Sequence, residues 1–206
     1  MQVLSGLSVP WWIAGGWAID LFVGHETRAH GDIEIAVLRR DQLAIQKQLK
    51  GWDLQIADVG SLEPWPTGQA IVPAKHAVWA RRGGDAWEIE IALEESEGTR
   101  WIYRRHTRIG LNIADLGMRS DSGIPYIRPE VALLYKSKAT RPVDETDFLY
   151  VLPRLDPARK AWLVAALWRE GSRKISQGCA KAKDCPEPST HRGCARLSSW
   201  SVGGQD

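Results

Sequence analysis

Asp32 and Glu34 stand two residues apart in HGDIEIAV, and Glu88 and Glu90 repeat the spacing in WEIEIAL. On a β-strand alternate side chains face opposite ways. Each acidic pair would therefore share one face while Ile33, Ile35, Ile89 and Ile91 take the other. Four carboxylates on one face, with no obvious cationic partner on either strand, repel and raise one another's pKa. Divalent cations relieve that repulsion, and two ions about 3.5–4 Å apart under shared oxygen ligands form a phosphoryl-transfer site. Asp32 and Glu34 supply two ligands. The third is Glu90 or, in the alternative register, Glu88, because sequence alone does not fix strand register.

Upstream, WWIAGGWAID places Gly15 and Gly16 between a short apolar strand and a helix. Without a Cβ they admit a phosphate close to backbone N–H groups, and the following helix directs its positive end at that anion. Arg28 carries a planar fork suited to phosphate oxygens. His30 directly precedes the acidic strand and either meets the ligands or caps the loop. Asp20 either orients the glycine turn or is a plain helix position.

These residues need a scaffold. The sequence predicts strands at Trp11–Ala14, GDIEIAVLRR, WDLQIAD, HAVWARR, AWEIEIALEES and WIYRRHTRI, and helices at Trp17–Val23 and RDQLAIQKQLKG. Asp41 is placed to cap the second helix. After GIPYIRP the pattern turns helical: PEVALLYKSKA opens near Pro129, VDETDFLYVLPRL follows, and DPARKAWLVAALWRE has Asp156 as N-cap and Pro157 at its first position. The expected fold class is α+β, a mixed sheet with flanking helices followed by a helical half. The domain reading is a core over 1–125, a helical part over 126–170 and a disordered tail over 171–206, where GSRKISQGCAKAKDCPEPSTHRG lacks apolar periodicity.

At 206 residues with 44% hydrophobic and 25% charged content, the chain can bury a real core. No apolar run approaches the roughly 20 residues of a membrane span, and the N-terminus has no secretory pattern, so a cytoplasmic protein without membrane partners is expected. Net charge is +2, and the tail accounts for it. Residues 171–206 carry six basic and three acidic side chains, and subtracting them from 27 and 25 leaves 21 and 22. A near-neutral body argues against a nucleic-acid partner. Cys179, Cys185, Cys194 and His191 fall in the tail without the close pairs of a zinc site. Among the tryptophans, Trp65 and Trp79 sit near loops where they could stack on a base, although core packing is the plainer reading.

GGWAIDLFVGHETRAHGDIEIAV closely resembles the signature of the polymerase-beta-like nucleotidyltransferases, within them the aminoglycoside 2''-adenylyltransferase-like group. The resemblance extends from about Pro10 to Trp168 and strengthens again over YIRPEVALLYKSKATRPVDETDF. There Lys136, Arg141, Asp144 and Asp147 match a pattern that relatives carry on helices behind the active site. It implies that Gly15, Gly16, Arg28 and Lys136 bind nucleotide. Asp32, Glu34 and Glu90 (or Glu88) would hold Mg²⁺, in two ions, and Glu90 would help activate the acceptor hydroxyl. Glu34 stands where the family most often has Asp. Asp144 and Asp147 read as structural partners of Lys136 or Arg141. The implied reaction is AMP transfer from ATP to a hydroxyl of a small molecule; the acceptor the resemblance suggests is an aminoglycoside-like antibiotic, a polycation suited to an acidic cleft. The alternatives are a toxin-like enzyme acting on RNA or protein, and an inactive nucleotide-binding protein of the same fold.

Overall fold

The computed structural model describes residues 2–172. The tail reading, its cysteines and His191 lie outside these residues. Ten strands run in chain order as β1 (Trp11–Ile13), β2 (Ile33–Leu38), β3 (Asp53–Asp58), β4 (Ser61–Pro64), β5 (Ala77–Arg81), β6 (Ile89–Glu97), β7 (Arg100–Ile102), β8 (Gly110–Asn112), β9 (Gly117–Arg119) and β10 (Pro125–Ile127). The helices are α1 (Gly15–Val23), α2 (Gln42–Gln48), α3 (Pro129–Lys136), α4 (Pro142–Val151) and α5 (Pro157–Glu170).

The main sheet has the order β4-β3-β5-β6-β2-β1-β10-β9, and β6 also extends through β7 to β8. It is mixed, as expected: β2 runs parallel to β6 and antiparallel to β1, while β1 is parallel to β10. Alternation along β2 and β6 separates two cores. Ile35, Val37, Ile91 and Leu93 face α2 through Ile45 and Leu49. Ala36 and Leu38 face the opposite way, toward Trp101, Tyr103, Leu133, Leu134 and Leu163. Burying about 25 cal/mol per Å² of apolar surface on both faces holds the central strands. The helices α3 and α5 cover the second face, and α3 and α4 also pack against α1.

Several local expectations change. The helix α1 begins on Gly15 itself, so both glycines belong to its first turn. Asp41 closes a single 3-10 turn, Arg39–Asp41, and its side chain makes no cap hydrogen bond. Of WIYRRHTRI only Trp101 and Ile102 are strand, the end of β7; the chain then turns, Tyr103 donates its N–H to Ile109 O, and the partner strand β8 begins at Gly110. The short strands β4, β8, β9 and β10 carry too few residues for period-two alternation to show. Asp156 caps α5 through a 2.9 Å bond from Arg159 N–H, as read from sequence.

Candidate active site

The parallel register of β2 and β6 sets Glu34 directly beside Glu90 and Ile35 beside Ile91. Glu34 and Glu90 therefore share the face left partly open by the C-terminal helices. A cleft of about 320 Å³ opens there. Its lining includes Ala14, Gly15, Glu34, Glu90, Glu94 and Lys136. Burial is the largest cause pushing the Glu34 carboxyl up to about 7, with the Glu90, Glu94 and Asp32 charges adding to it and Lys136 opposing. Glu90 is also raised, first by burial and then by Asp32, with Arg104 and a hydrogen bond from Trp79 acting the other way. Asp32, exposed at the mouth just before β2, is thus electrically coupled to both.

Glu88 is not brought there. Its carboxylate is held by Arg82, at 2.7 Å from Nη2 and 2.9 Å from the backbone N–H, which keeps its pKa low. The sequence expectation that these strands lack a cationic partner fails at this position. The β5–β6 turn folds Arg82 back onto Glu88, leaving Glu90 as the strand's carboxylate beside Glu34.

Packing alone demands both glycines. Gly15 has φ +59°, and a Cβ there would fall on the Glu34 carboxylate; a Cβ on Gly16 would fall on Arg28 and His30. The loop against Gly16 is held by Asp20, only 3% exposed. Its Oδ1 accepts from Thr27 N–H (3.1 Å) and Thr27 Oγ1 (2.6 Å), and its Oδ2 lies 2.6 Å from His30 Nε2. One buried carboxylate thereby folds the Thr27–His30 loop back over α1. Trp17 completes the brace, stacking on His30 at 4.4 Å between ring centroids and donating to Asp32 O. Asp20 orients the loop, and His30 acts in that brace.

Behind the cleft, Lys136 Nζ sits 2.8 Å from Asp144 and 2.9 Å from Asp147, and Arg141 pairs with Asp144 at 2.9 Å. Arg28 Nε lies 3.7 Å from Asp147. The expected structural pairing of the two aspartates holds, and Asp147 joins the Arg28 loop to Lys136. Arg28 packs against Gly16 and Asp147 and does not line the cleft, whereas Lys136 does. Trp65 is core, with its N–H on Gln69 O, and Trp79 donates to Glu90.

Sequence reasoning missed two features. Glu94, 3% exposed, continues the Glu90 face and accepts from Trp101 Nε1 (2.6 Å) and Tyr135 OH (2.7 Å) on one oxygen. Burial raises its pKa. Its place in IEIALEE, two alternations beyond Glu90, was the available signal. The second is a set of cations: Arg104, Arg105, Lys138 and Arg141 line the cleft with Lys136. The cleft is of mixed charge, and the acidic cleft expected from sequence is not what forms.

The donor set fits a hard divalent cation. Asp32, Glu34 and Glu90 offer only carboxylate oxygens; Glu34 and Glu90 stand in register, Glu90 and Asp32 raise the pKa of Glu34, and Asp32 raises that of Glu90. As they stand, no three His, Cys, Asp or Glu side chains among the described residues are gathered closely enough to hold an ion. Side-chain rotation about fixed strand positions would have to complete such a site.

Residues 1–58 match the family model of aminoglycoside-2''-adenylyltransferase. A 2''-aminoglycoside nucleotidyltransferase of Escherichia coli is 37% identical over 92 residues, covering 43% of this chain and 49% of that protein. A Klebsiella pneumoniae 2''-aminoglycoside nucleotidyltransferase matches over the same shares. The chain spans about half the length of the curated relatives it matches. Among solved structures, the antibiotic-resistance factor ANT(2'')-Ia superposes with TM-score 0.55 at 14% identity, over 86% of this chain and 92% of that one. The lincosamide adenylyltransferase LnuA superposes with TM-score 0.50 at 17% identity, over 73% and 90%. The fold is that of the nucleotidyltransferases. By sequence the chain is similar to their aminoglycoside 2''-adenylyltransferase group. No described helix of this nucleotidyltransferase fold is long and apolar enough to cross a membrane.

Proposed function

We propose that the chain transfers a nucleoside monophosphate, AMP from ATP, to a hydroxyl of a small molecule. The observation that carries this reading is the meeting of Gly15, Glu34 and Glu90 in one cleft, with Asp32 coupled to both carboxylates. The first turn of α1 opens on that cleft. Its leading N–H groups have no intrahelical partner, so it favours an anion such as the nucleotide's phosphates.

In this reading Asp32, Glu34 and Glu90 hold Mg²⁺, in two ions, and the metal supplies charge neutralisation at the reacting phosphate. Glu90 would orient the acceptor hydroxyl and take its proton as the oxygen bonds to the α-phosphorus and the α–β phosphoanhydride breaks, with pyrophosphate leaving. Lys136, steadied by Asp144 and Asp147, offers positive charge beside Glu34. The Asp20 brace fixes the loop that carries Asp32. Phosphoryl transfer asks chiefly for such positioning and charge balance.

The relatives' names point to an aminoglycoside or lincosamide acceptor. The mixed charge of the cleft gives a polycation no electrostatic preference of its own, so this choice rests on similarity. The test is mass spectrometry of antibiotics bearing hydroxyls after incubation with ATP and Mg²⁺. A gain of one AMP supports the reading, and it should vanish in Asp32→Ala. One observation favours a second reading: the cations beside the carboxylates suit an RNA acceptor. AMP label appearing on RNA, with none on small molecules, would select it.

A further inference from the structure

His76 and Arg104 line the cleft but are used by none of the steps above. His76 precedes β5, and its carbonyl accepts Leu93 N–H, which sets it at the level of Leu93 and Glu94. Its Nδ1 lies 3.0 Å from Arg39 Nη2. A guanidinium only donates, so Nδ1 must accept, and the proton of the neutral ring is on Nε2. Arg39 is itself fixed by Glu95 at 2.5 Å and Lys75 O at 2.9 Å, so this tautomer is imposed by a rigid neighbour. Burial together with the Arg104, Arg39 and Arg105 charges lowers the His76 pKa, against Glu95, and keeps the ring neutral.

Arg104 stacks over Tyr135, its guanidinium carbon 5.0 Å from the ring centroid. Among the described residues no salt bridge ties it to a carboxylate. Lys136 and Arg141, by contrast, are matched to Asp144, and Arg105 lies 3.9 Å from Glu170. Arg104 lines the same cleft as Glu90, Glu94 and His76, and its charge lowers the pKa of all three. A planar fork braced on an aromatic ring, next to a neutral N–H donor, is suited to the oxygens of a phosphate group.

We propose that Arg104 and His76 form a phosphate subsite in the cleft, beside the carboxylates, taking the phosphate chain of the nucleotide or the pyrophosphate released from it. The identity of the ligand rests on the nucleotidyl-transfer reading; the anion preference rests on these side chains. The subsite also explains why cations line a cleft floored by carboxylates. Phosphates bridged to the acidic side would meet their remaining charge on Arg104.

The probe is inorganic pyrophosphate, titrated into the full chain by calorimetry with EDTA present, so that carboxylate-held metal contributes nothing. Arg104→Gln should weaken binding about tenfold or more, the scale of a charged hydrogen bond. His76→Phe should weaken it by a smaller factor, and Arg104→Lys should fall between wild type and Arg104→Gln. Thermal unfolding near the wild-type midpoint shows that each variant is folded, and Arg104→Lys serves if Arg104→Gln is not. Pyrophosphate that fails to bind wild type, or binds Arg104→Gln and His76→Phe within twofold of wild type, overturns the subsite. Asp32→Ala separates this from the catalytic reading. It should abolish AMP transfer yet hold pyrophosphate within twofold under EDTA. Arg104-dependent pyrophosphate binding without AMP transfer to any acceptor leaves the subsite standing and removes the enzymatic reading. Transfer with Arg104-independent pyrophosphate binding does the reverse.

Discussion

Replacing Glu34 by Gln tests the electrostatics of the cleft without removing volume. Glu34 is raised from an ordinary 4.5 to about 7, first by burial and then by Glu90, Glu94 and Asp32. A carboxyl whose pKa is higher in the folded chain binds its proton more tightly there. Its contribution is complete below about 4.5 and is lost as pH rises through about 7. At roughly 1.4 kcal/mol per unit, ionised Glu34 costs the fold up to about 3 kcal/mol at pH 8. Gln keeps the shape and neutrality of the protonated acid, so Glu34→Gln should match wild type near pH 4.5 and exceed it increasingly toward pH 8. With a shift of about 2–4 °C per kcal/mol for a chain of this size, the gain in midpoint at pH 8 is of order 6 °C or more. Thermal unfolding followed by circular dichroism, at intervals from pH 4.5 to 8.5, measures the difference curve. Mg²⁺ at pH 8 should raise the wild-type midpoint more than that of the variant, because only wild type brings a full carboxylate set to the ion. A variant no more stable than wild type at pH 8, or a difference that stays constant across the pH range, would refute the reasoning. It would mean that Glu34 is not held among uncompensated like charges.

Other substitutions probe separate parts of the argument. Asp20→Ala strips three contacts from the Thr27–His30 loop and leaves buried polar groups without their partner; urea unfolding should show a loss of about 2–4 kcal/mol. Gly15→Ala sets a side chain into a left-handed backbone and against Glu34, so Mg²⁺-dependent ATP binding by calorimetry should weaken at least tenfold. Glu88→Gln removes a partly exposed pair with Arg82 and should change stability by about 1 kcal/mol or less with ATP binding intact, whereas Glu90→Gln should abolish AMP transfer. Asp147→Asn removes a buried charge between Lys136 and Arg28 and should lower both stability and ATP affinity, read by unfolding and calorimetry.

Much of this was settled by local pattern. Period-two alternation in DIEIAV and EIEIAL set the acidic residues on one side of β2 and β6 and the isoleucines on the other, because strand geometry admits no other arrangement for alternating side chains. The Gly-Gly pair at a strand-to-helix junction marked where backbone had to be approached closely, and Pro157 after Asp156 marked the start of α5. What local pattern could not supply was anything that depends on which segments meet. That Glu90 and not Glu88 stands beside Glu34 was decided by the β2–β6 register and by the fold-back of Arg82, neither of which leaves a periodic trace. Asp20 looked like any helix position until the loop after α1 closed on it. Arg104 reads in sequence as one more strand residue. Its cleft position follows from a turn held by Tyr103 and Ile109 and by aromatic packing against α3, contacts between residues far apart in the chain. Charge on a line of sequence gave a near-neutral body, but the mixed cleft exists only because tertiary packing gathers Arg104, Arg105, Lys136, Lys138 and Arg141 around Glu34, Glu90 and Glu94.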